Sequence, residues 1–370
     1  NGTAGVKSSS ASADWPQIFA GYGGPVAIDP INSTNWYVNN QAGVYIYRCA
    51  QSSECAAADF GASPVVGDAD VGGDGDTMAT PAPFLVDPID PSQLLVGTCR
   101  VWRGPEGGSG WTGNNAISPI LDDSAASGAC SGDALIRSMD ALALPGGEER
   151  VYLGIYGSAS GGANLAGHVL SAILNPASSA LPVWQDLTLG PVVNDSDALN
   201  KFGMDVSSIF IDRHDTTGNT AYITVEGARN SSEAVRVAYS TTDGGAHWSN
   251  LTSNLSGTPA SGIVVDPQDA NTVYVATDEG VYFTTQVASC ALVPSNCWSV
   301  YGAGLPAAPV VALRASPLGA SSPALVAATY GRGIWQTQLW TAGTIVTTAA
   351  ASPAALTFVS QTTGTACYGR

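Results

Sequence analysis

Carboxylates carried on loops are the first residues in this chain whose type and spacing could do chemistry. Thr277-Asp278-Glu279-Gly280 sets two acids on a glycine-closed turn, and Glu226 ends the alternating run Ala221-Tyr-Ile-Thr-Val. Breaking a glycosidic bond takes two carboxyl groups roughly 5 to 10 Å apart, one giving a proton while the other attacks or activates water. Asp278 with Glu226, or with Asp76, is the pair that could serve. Neighbouring loops supply Asn40, Arg100, Trp102, Arg103, Tyr156, Arg229, Glu279, Tyr330 and Arg332. Rings stack on the apolar faces of sugars and polar groups bond their hydroxyls, so this mixture suits a polysaccharide or glycan. Polar loops that are merely solvated have the same composition.

A second acidic stretch, Gly67-Asp-Ala-Asp-Val-Gly-Gly-Asp-Gly-Asp76, gathers Asp68, Asp70, Asp74 and Asp76 on glycine-rich backbone. These charges repel one another unless a cation draws them together, and hard oxygen ligands suit calcium. The spacing departs from the EF-hand loop, and a solvated acidic loop is the competing reading. No motif requires another cofactor. His168, His214 and His247 fall in unrelated contexts and suggest neither a Ser/His/Asp grouping nor a metal site.

Composition narrows the partners. Thirty acidic residues stand against 13 basic ones, a net charge of −17, and only Lys7 and Lys201 are lysines. Phosphate binding needs a clustered positive surface, so nucleic acid is excluded as a partner. No apolar run approaches the roughly 18 residues of a membrane span. The excess charge reads as a solubility device of an exported protein. Seven cysteines without metal spacing point to disulfides in an oxidising compartment, hence to an extracellular or cell-surface location. The expected pairs are Cys49 with Cys55, Cys290 with Cys297, and Cys99 with Cys130, which leaves Cys367 over. No leader peptide is legible, so the mature form is expected. Sequons at Asn1, Asn32, Asn194, Asn230, Asn250 and Asn254 would take glycans only in a eukaryotic host.

The elements that must position these loops repeat with a period of about 50 to 70 residues, which implies a propeller or solenoid. Each unit is an apolar strand, an Asp-Pro turn, a Tyr/Val-rich strand, a glycine loop, a third strand and a Trp-led fourth. Pro25-Val-Ala-Ile-Asp-Pro, Pro83-Phe-Leu-Val-Asp-Pro and Gly262-Ile-Val-Val-Asp-Pro mark copies one, two and five; Ala141-Leu-Ala-Leu, Ser208-Ile-Phe-Ile-Asp and Val310-Val-Ala-Leu-Arg mark the others. Forty-three Gly and 22 Pro fit many turns and few helices. The expected fold is all-β, a single propeller of six four-stranded blades over residues 14–340. The sixth copy lacks its Trp-led strand, and Asp14-Trp-Pro-Gln-Ile-Phe is the strand expected to close it, removing an open edge. The alternative is a larger ring, of seven blades. Residues 1–13 read as a flexible arm. Residues 341–370 read as a linker and strand that pack on the propeller or dock on a partner or a second copy.

Within copy four, Tyr239-Ser-Thr-Thr-Asp-Gly-Gly-Ala-His-Trp248 resembles the Asp-box, the Ser/Thr-x-Asp-x-Gly-x-x-Trp turn of BNR-type repeats. Thr241, Asp243, Gly245 and Trp248 hold the motif positions. Sialidases, sortilin-type receptors and xyloglucanase-type glycoside hydrolases carry it, and the resemblance implies a β-propeller. Leu356-Thr-Phe-Val-Ser is similar to the opening strand of Ig-like anchor modules. In a four-stranded meander the Asp-Pro turns and Asp-boxes share one face, and the second-to-third loops share the other. Asp243 is therefore a turn residue, and the acids, arginines and rings above belong to the opposite face. The xyloglucanase-type resemblance implies a catalytic Asp in an early Thr-Asp-x-Gly loop; here blade one has Asn39-Asn40-Gln41-Ala42-Gly43 and blade five keeps the acid. The sialidase Phe-Arg-Ile-Pro motif is absent. The expected function is a secreted carbohydrate-directed propeller, binding or hydrolysing polysaccharide; the alternative is a non-catalytic interaction or assembly module of the cell surface.

Overall fold

The computed structural model describes residues 2–4, 17–21, 23–40, 42–50, 55–71, 82–121, 134–157, 165–227, 235–255, 257–292, 296–320 and 323–342. Its fold class is all-β, a β-propeller of six blades, built from antiparallel meanders. The described helix is one α-turn, Asp68–Val71, with short 3-10 segments. No described helix is long and apolar enough to cross a membrane. Arg229, Asp74, Asp76, Cys130 and Cys367, the segment before Gln17 apart from residues 2–4, and the tail beyond Ala342 lie outside the described residues.

The chain divides into two compact units, one up to Asp186 and one from Leu187. In the first, β1 (Gly2–Ala4) pairs with β2 (Gln17–Ala20). The first sheet is β3 (Val26–Ile28), β4 (Trp36–Asn39), β5 (Tyr45–Cys49) and β6 (Val66–Gly67). The second is β7 (Phe84–Val86), β8 (Gln93–Gly97) and β9 (Val101–Pro105), with a bridge from Trp102 to Ala116 where a fourth strand would run. The third is β10 (Ile136–Ala143), β11 (Glu149–Ile155), β12 (Val169–Leu174) and β13 (Gln185–Asp186).

The second unit holds three more sheets. The fourth is β14 (Asp205–Ile211), β15 (Ala221–Glu226), β16 (Ala238–Thr241) and β17 (Ser249–Asn250). The fifth is β18 (Ala260–Asp266), β19 (Asp269–Thr277), β20 (Gly280–Thr284) and β21 (Ser299–Tyr301). The sixth is β22 (Val310–Ala315), β23 (Ala324–Thr329) and β24 (Gly333–Gln338). The strand expected to complete this last sheet enters instead as β2, hydrogen-bonded to β1, and the sixth sheet has three described strands rather than four.

Strand alternation explains why the central strands read as continuous apolar runs. On β19, Val273 and Val275 enter the core toward the fourth sheet, while Tyr274 and Ala276 enter the core toward the sixth. On β8, Leu94 and Val96 face the first sheet's side and Leu95 the third's. A strand buried on both faces has no polar side to show.

Three local devices recur. At the end of the first strand a buried Asp caps its own turn: Asp29 accepts from Ile31 and Asn32 N–H, Asp87 from Ile89 and Asp90, Asp212 from His214, and Asp266 from Gln268. These bonds satisfy donors that the turn would otherwise leave unpaired, which is why Asp precedes Pro so often here. At the far end of the second strand a buried Asn or Thr clasps the hairpin. Asn39 donates to the Gly43 carbonyl, Thr98 to Arg100, Thr277 to Gly280 and Thr329 to Gly333.

Tryptophans before the fourth strands staple one sheet to the next. Trp184 Nε1 donates to the Ile117 carbonyl, Trp248 Nε1 to Leu187 and Trp298 Nε1 to Leu251, at 2.8 to 3.3 Å. Trp248 and Trp298 thus bury their rings and still satisfy their N–H, as a buried tryptophan must, while Trp184 is half-buried. Truncating Trp248, which is fully buried, costs about 3–5 kcal/mol by the usual cavity and transfer terms.

The connection from third to fourth strand is closed in two ways. In the fourth sheet Thr241 Oγ1 bonds Asp243, Gly245 N–H donates to Thr241 Oγ1, and His247 N–H donates to Asp243 Oδ1. Gly244 and Gly245 sit at φ 75° and 90°, a region that side chains resist. In the first and fifth sheets the same connection carries the Cys49–Cys55 and Cys290–Cys297 disulfides. Closing such short loops removes about 2–3 kcal/mol of unfolded-chain entropy each. Cys99 is also disulfide-bonded.

Candidate functional site

Two ends of the sheets compete for chemistry, and register separates them. In the fourth sheet Ala221 pairs with Thr241, whereas Glu226, at the other end of β15, pairs with Asp205. The Thr241–Trp248 turn thus lies at the Asp-turn end, away from Glu226. At the hairpin end, backbone bonds repeat: Asn39 N–H donates to Pro25, Gly97 to Pro83, Tyr156 to Leu135, Asp278 to Pro259 and Tyr330 to Pro309. These residues hold one structural position in five sheets.

In the second unit that end carries acids. Glu226, Asp278 and Glu279 are all exposed. Partial withdrawal from water raises the pKa of Asp278 above the ordinary carboxylate value, and the negative charges of Glu226 and then Glu279 raise it further. The two acids singled out from the sequence, on hairpins of adjacent sheets, therefore feel one another's charge. Tyr282 Oη donates to Glu279 Oε2 at 3.2 Å, and burial together with that carboxylate raises the tyrosine's pKa. Carboxyls whose surroundings push their pKa values apart are the arrangement in which acid and base roles can divide, and here it is Asp278 that is pushed up. Tyr330, 41% exposed, and Arg332 stand on the β23–β24 hairpin of the next sheet.

In the first unit the structure reassigns several expected sugar-binding residues. Trp102 is 2% exposed and spends its indole N–H on Thr98 Oγ1, so it is core rather than a stacking platform. Arg100 lies over its ring at 5.4 Å, a cation–π contact. Arg103 turns to the opposite end, where it pairs with the buried Asp87. Asn40 is 3% exposed, bonded to the Ala20 carbonyl and pressed on Gly21, where a Cβ would collide with it. Tyr156 is half-buried under the Arg137 guanidinium, 5.3 Å from its ring. Asp68 accepts from Val44 N–H and Asp70 from Gly67 N–H, so each already has a backbone donor. Among the described residues no group of three His, Cys, Asp or Glu could hold a metal ion.

Two residues were missed from the sequence. Tyr282 faces Glu279 only because the tight β19–β20 hairpin folds it back, a spacing of three that signals little by itself. Glu149, on β11, is fully buried next to Asp87 and Arg103. Burial first, and the Asp87 charge second, push its pKa up to about 8, against the opposing pull of Arg103. The Arg103 guanidinium pairs with Asp87, and both carboxyl oxygens of Glu149 are buried without a hydrogen-bond partner.

No protein-family model matches the chain. No curated protein matches its sequence. Among solved structures it is similar to an ancestral GH74 enzyme, with TM-score 0.53 and 15% identity over 88% of this chain and 38% of that one. It is also similar to the GH74 xyloglucanase from Xanthomonas campestris, with TM-score 0.53 and 14% identity over 90% of this chain and 48% of that one. PorZ, a bacterial surface component of the type-IX secretion system of Porphyromonas gingivalis, aligns with TM-score 0.49 and 12% identity over 84% and 38%. The chain therefore spans less than half the length of these neighbours, and at such identities the likeness is one of fold.

Proposed function

We propose that this chain is a carbohydrate-directed β-propeller of the extracellular space or cell surface, which binds polysaccharide at the hairpin end of its sheets. The observation that carries this reading is the exposed group Glu226, Asp278 and Glu279, in which Asp278 holds its proton above the ordinary range. Asp278 is the acid that would protonate a glycosidic oxygen, and Glu226 the carboxylate opposite it; Glu279 with Tyr282, Tyr330 and Arg332 would contact hydroxyls. The fold shared with GH74 enzymes supports the class of ligand. The bonds of Thr241, Asp243 and Gly245 support reading that turn as an Asp-box. The Cys49–Cys55 and Cys290–Cys297 disulfides support export to an oxidising compartment.

The second reading, a propeller that binds without hydrolysing, is favoured by a specific observation: Asn40, Trp102 and Arg103 are structural, and no acid stands in the blade-one hairpin. Calcium at the Asp68–Asp76 loop is kept as a proposal that a melting curve with and without chelator decides. The two functional readings separate in one pair of measurements, a glycan array and a reducing-end release assay on plant and bacterial polysaccharides. Binding with release that Asp278→Asn abolishes supports the hydrolase, binding without release supports the platform, and neither binding nor release overturns both.

A further inference from the structure

Among the described residues, tryptophan almost always finds an acceptor for its indole N–H. Besides the four bonds given above, Trp36 donates to the Ser33 carbonyl, Trp111 to Pro105 and Trp335 to Arg332. Trp340 is the exception: no described residue accepts from its Nε1, and the side chain is 40% exposed. Only Tyr330, before the other end of β24, is a described aromatic residue exposed as far.

A large apolar side chain standing singly at the surface means little by itself. Trp340 is set apart by how firmly it is held. It opens the 3-10 turn Trp340–Ala342 that follows β24. Its backbone N–H donates to Tyr274 Oη at 2.7 Å, Tyr274 Oη donates to Asp266 Oδ2 at 2.9 Å, and Thr341 Oγ1 donates to Asp266 Oδ1 at 2.6 Å. Asp266 and Tyr274 are fully buried, so this pin starts in the core. Phe283 packs on the indole with ring centroids 4.9 Å apart, and Tyr301 backs Phe283 at 4.7 Å. The ring is thus ordered before any ligand arrives, and a preorganised group loses less freedom on binding.

This platform is separate from the acids of the hairpin end. Thr341 reaches Asp266 at the Asp-turn end of β19, whereas Asp278 follows the opposite end of that strand. Nine residues at about 3.4 Å each put the two ends on the order of 27 Å apart, too far for one sugar unit to touch both.

The chemistry of the platform selects its guest. One flat apolar face with an N–H at its edge matches a pyranose, which has C–H groups on its face and oxygens around its rim. The charge in the pin is a carboxylate and the chain carries −17, so an anionic glycan is repelled. Proline-rich peptides dock in grooves lined by several rings. Here the rings behind Trp340 are turned inward, with Tyr274 fully buried and Phe283 and Tyr301 half-buried.

We propose that Trp340 is a second glycan-binding platform, at the Asp-turn end of the fifth and sixth sheets, where the indole stacks on a neutral pyranose and its N–H donates to an oxygen of the same sugar chain. The choice of a carbohydrate rests on the function proposed above. The platform itself rests on Trp340 and the pin that holds it.

The test follows the indole N–H signals of the full chain by NMR, with the Trp340 signal assigned by its loss in Trp340→Phe. Cellotetraose, xylotetraose and mannotetraose are the neutral probes, tetragalacturonic acid the anionic one and a proline decapeptide the peptide. The Trp340 signal shifts saturably with at least one neutral probe and with neither of the others. Retention on the matching insoluble polysaccharide falls about tenfold in Trp340→Ala and about threefold in Trp340→Phe, which keeps a ring and loses the donor. The Asp278 carboxyl carbon reports the hairpin end in the same titrations, so the two sites fail separately. A glycan that moves Asp278 and leaves Trp340 unmoved overturns the platform and spares the proposed function; one that moves Trp340 alone upholds the platform without it. An equal or larger shift with tetragalacturonic acid or the proline peptide, no shift with any probe, or full retention in Trp340→Ala overturns the proposal. If that variant does not fold, the signals of the unaltered chain decide.

Discussion

Two groups of carboxylates in this protein each contain an acid whose pKa is raised, and they could hardly differ more in what that means. In the first unit Glu149 and Asp87 are fully buried around one guanidinium, Arg103, at the end where the Asp turns lie. In the second unit Asp278, Glu226 and Glu279 stand exposed at the hairpin end, with a tyrosine hydroxyl on one of them. Burial is the first cause of the shift in both groups and the charge of a neighbouring carboxylate the second. A raised pKa alone is therefore no mark of a site. Access to solvent, and donors left for a ligand, separate a reactive carboxyl from a structural one.

The sharpest way to break this contrast is to remove the shared guanidinium. Arg103→Ala leaves the buried Asp87 without its partner and costs about 3–5 kcal/mol, measured by urea unfolding. Asp278→Asn, by contrast, stays within about 0.5 kcal/mol, as exposed substitutions do. A comparable loss at both positions would erase the distinction between the groups.

The next effect is on pH. Glu149 has a folded pKa near 8 against an ordinary 4.5, so the folded state holds the extra proton between those values. Its contribution to stability is complete below pH 4.5 and is lost as the pH rises toward 8, on the order of 5 kcal/mol over the window. Glu149→Gln keeps the shape without the titration and flattens that slope. An unchanged slope in the variant would assign the pH dependence elsewhere.

Smaller still is the effect of reduction. Breaking the Cys49–Cys55 and Cys290–Cys297 bridges costs about 2–3 kcal/mol each by loop entropy. The smallest effect is the most specific: Glu226→Gln removes a negative neighbour and lowers the Asp278 pKa, read from the carboxyl carbon shift in an NMR titration. No movement of that titration would dissolve the pair that the proposed chemistry needs.

Much of the fold was legible because it is written in local, repeated chemistry. Val-Asp-Pro marks a strand that ends in a self-capping turn, and Asp29, Asp87 and Asp266 all do this. Thr241 to Trp248 announces its turn through two glycines and a carboxylate, and cysteines six or seven residues apart announce theirs. That Glu226 and Asp278 occupy matching hairpins, close enough to feel one another's charge, follows from the repeat that aligns them. Trp102 and Arg103 were misplaced for a physical reason. Neighbouring residues on a strand point to opposite faces, and a long guanidinium reaches well past its own position. Arg103 travels to Asp87, while Trp102 turns into the core between sheets.

The sequence by itself determined the repeat, its turns, the tryptophans that lead the fourth strands and the absence of a basic surface. These depend on spacing along the chain and on side-chain chemistry within a few residues. Only the tertiary structure decided which acids are buried, which arginine pairs with one of them, and which apolar residues of distant strands line a common hollow. Those depend on groups far apart in sequence, such as Asp87 with Glu149 or Tyr301 with Ala327, meeting where water is excluded.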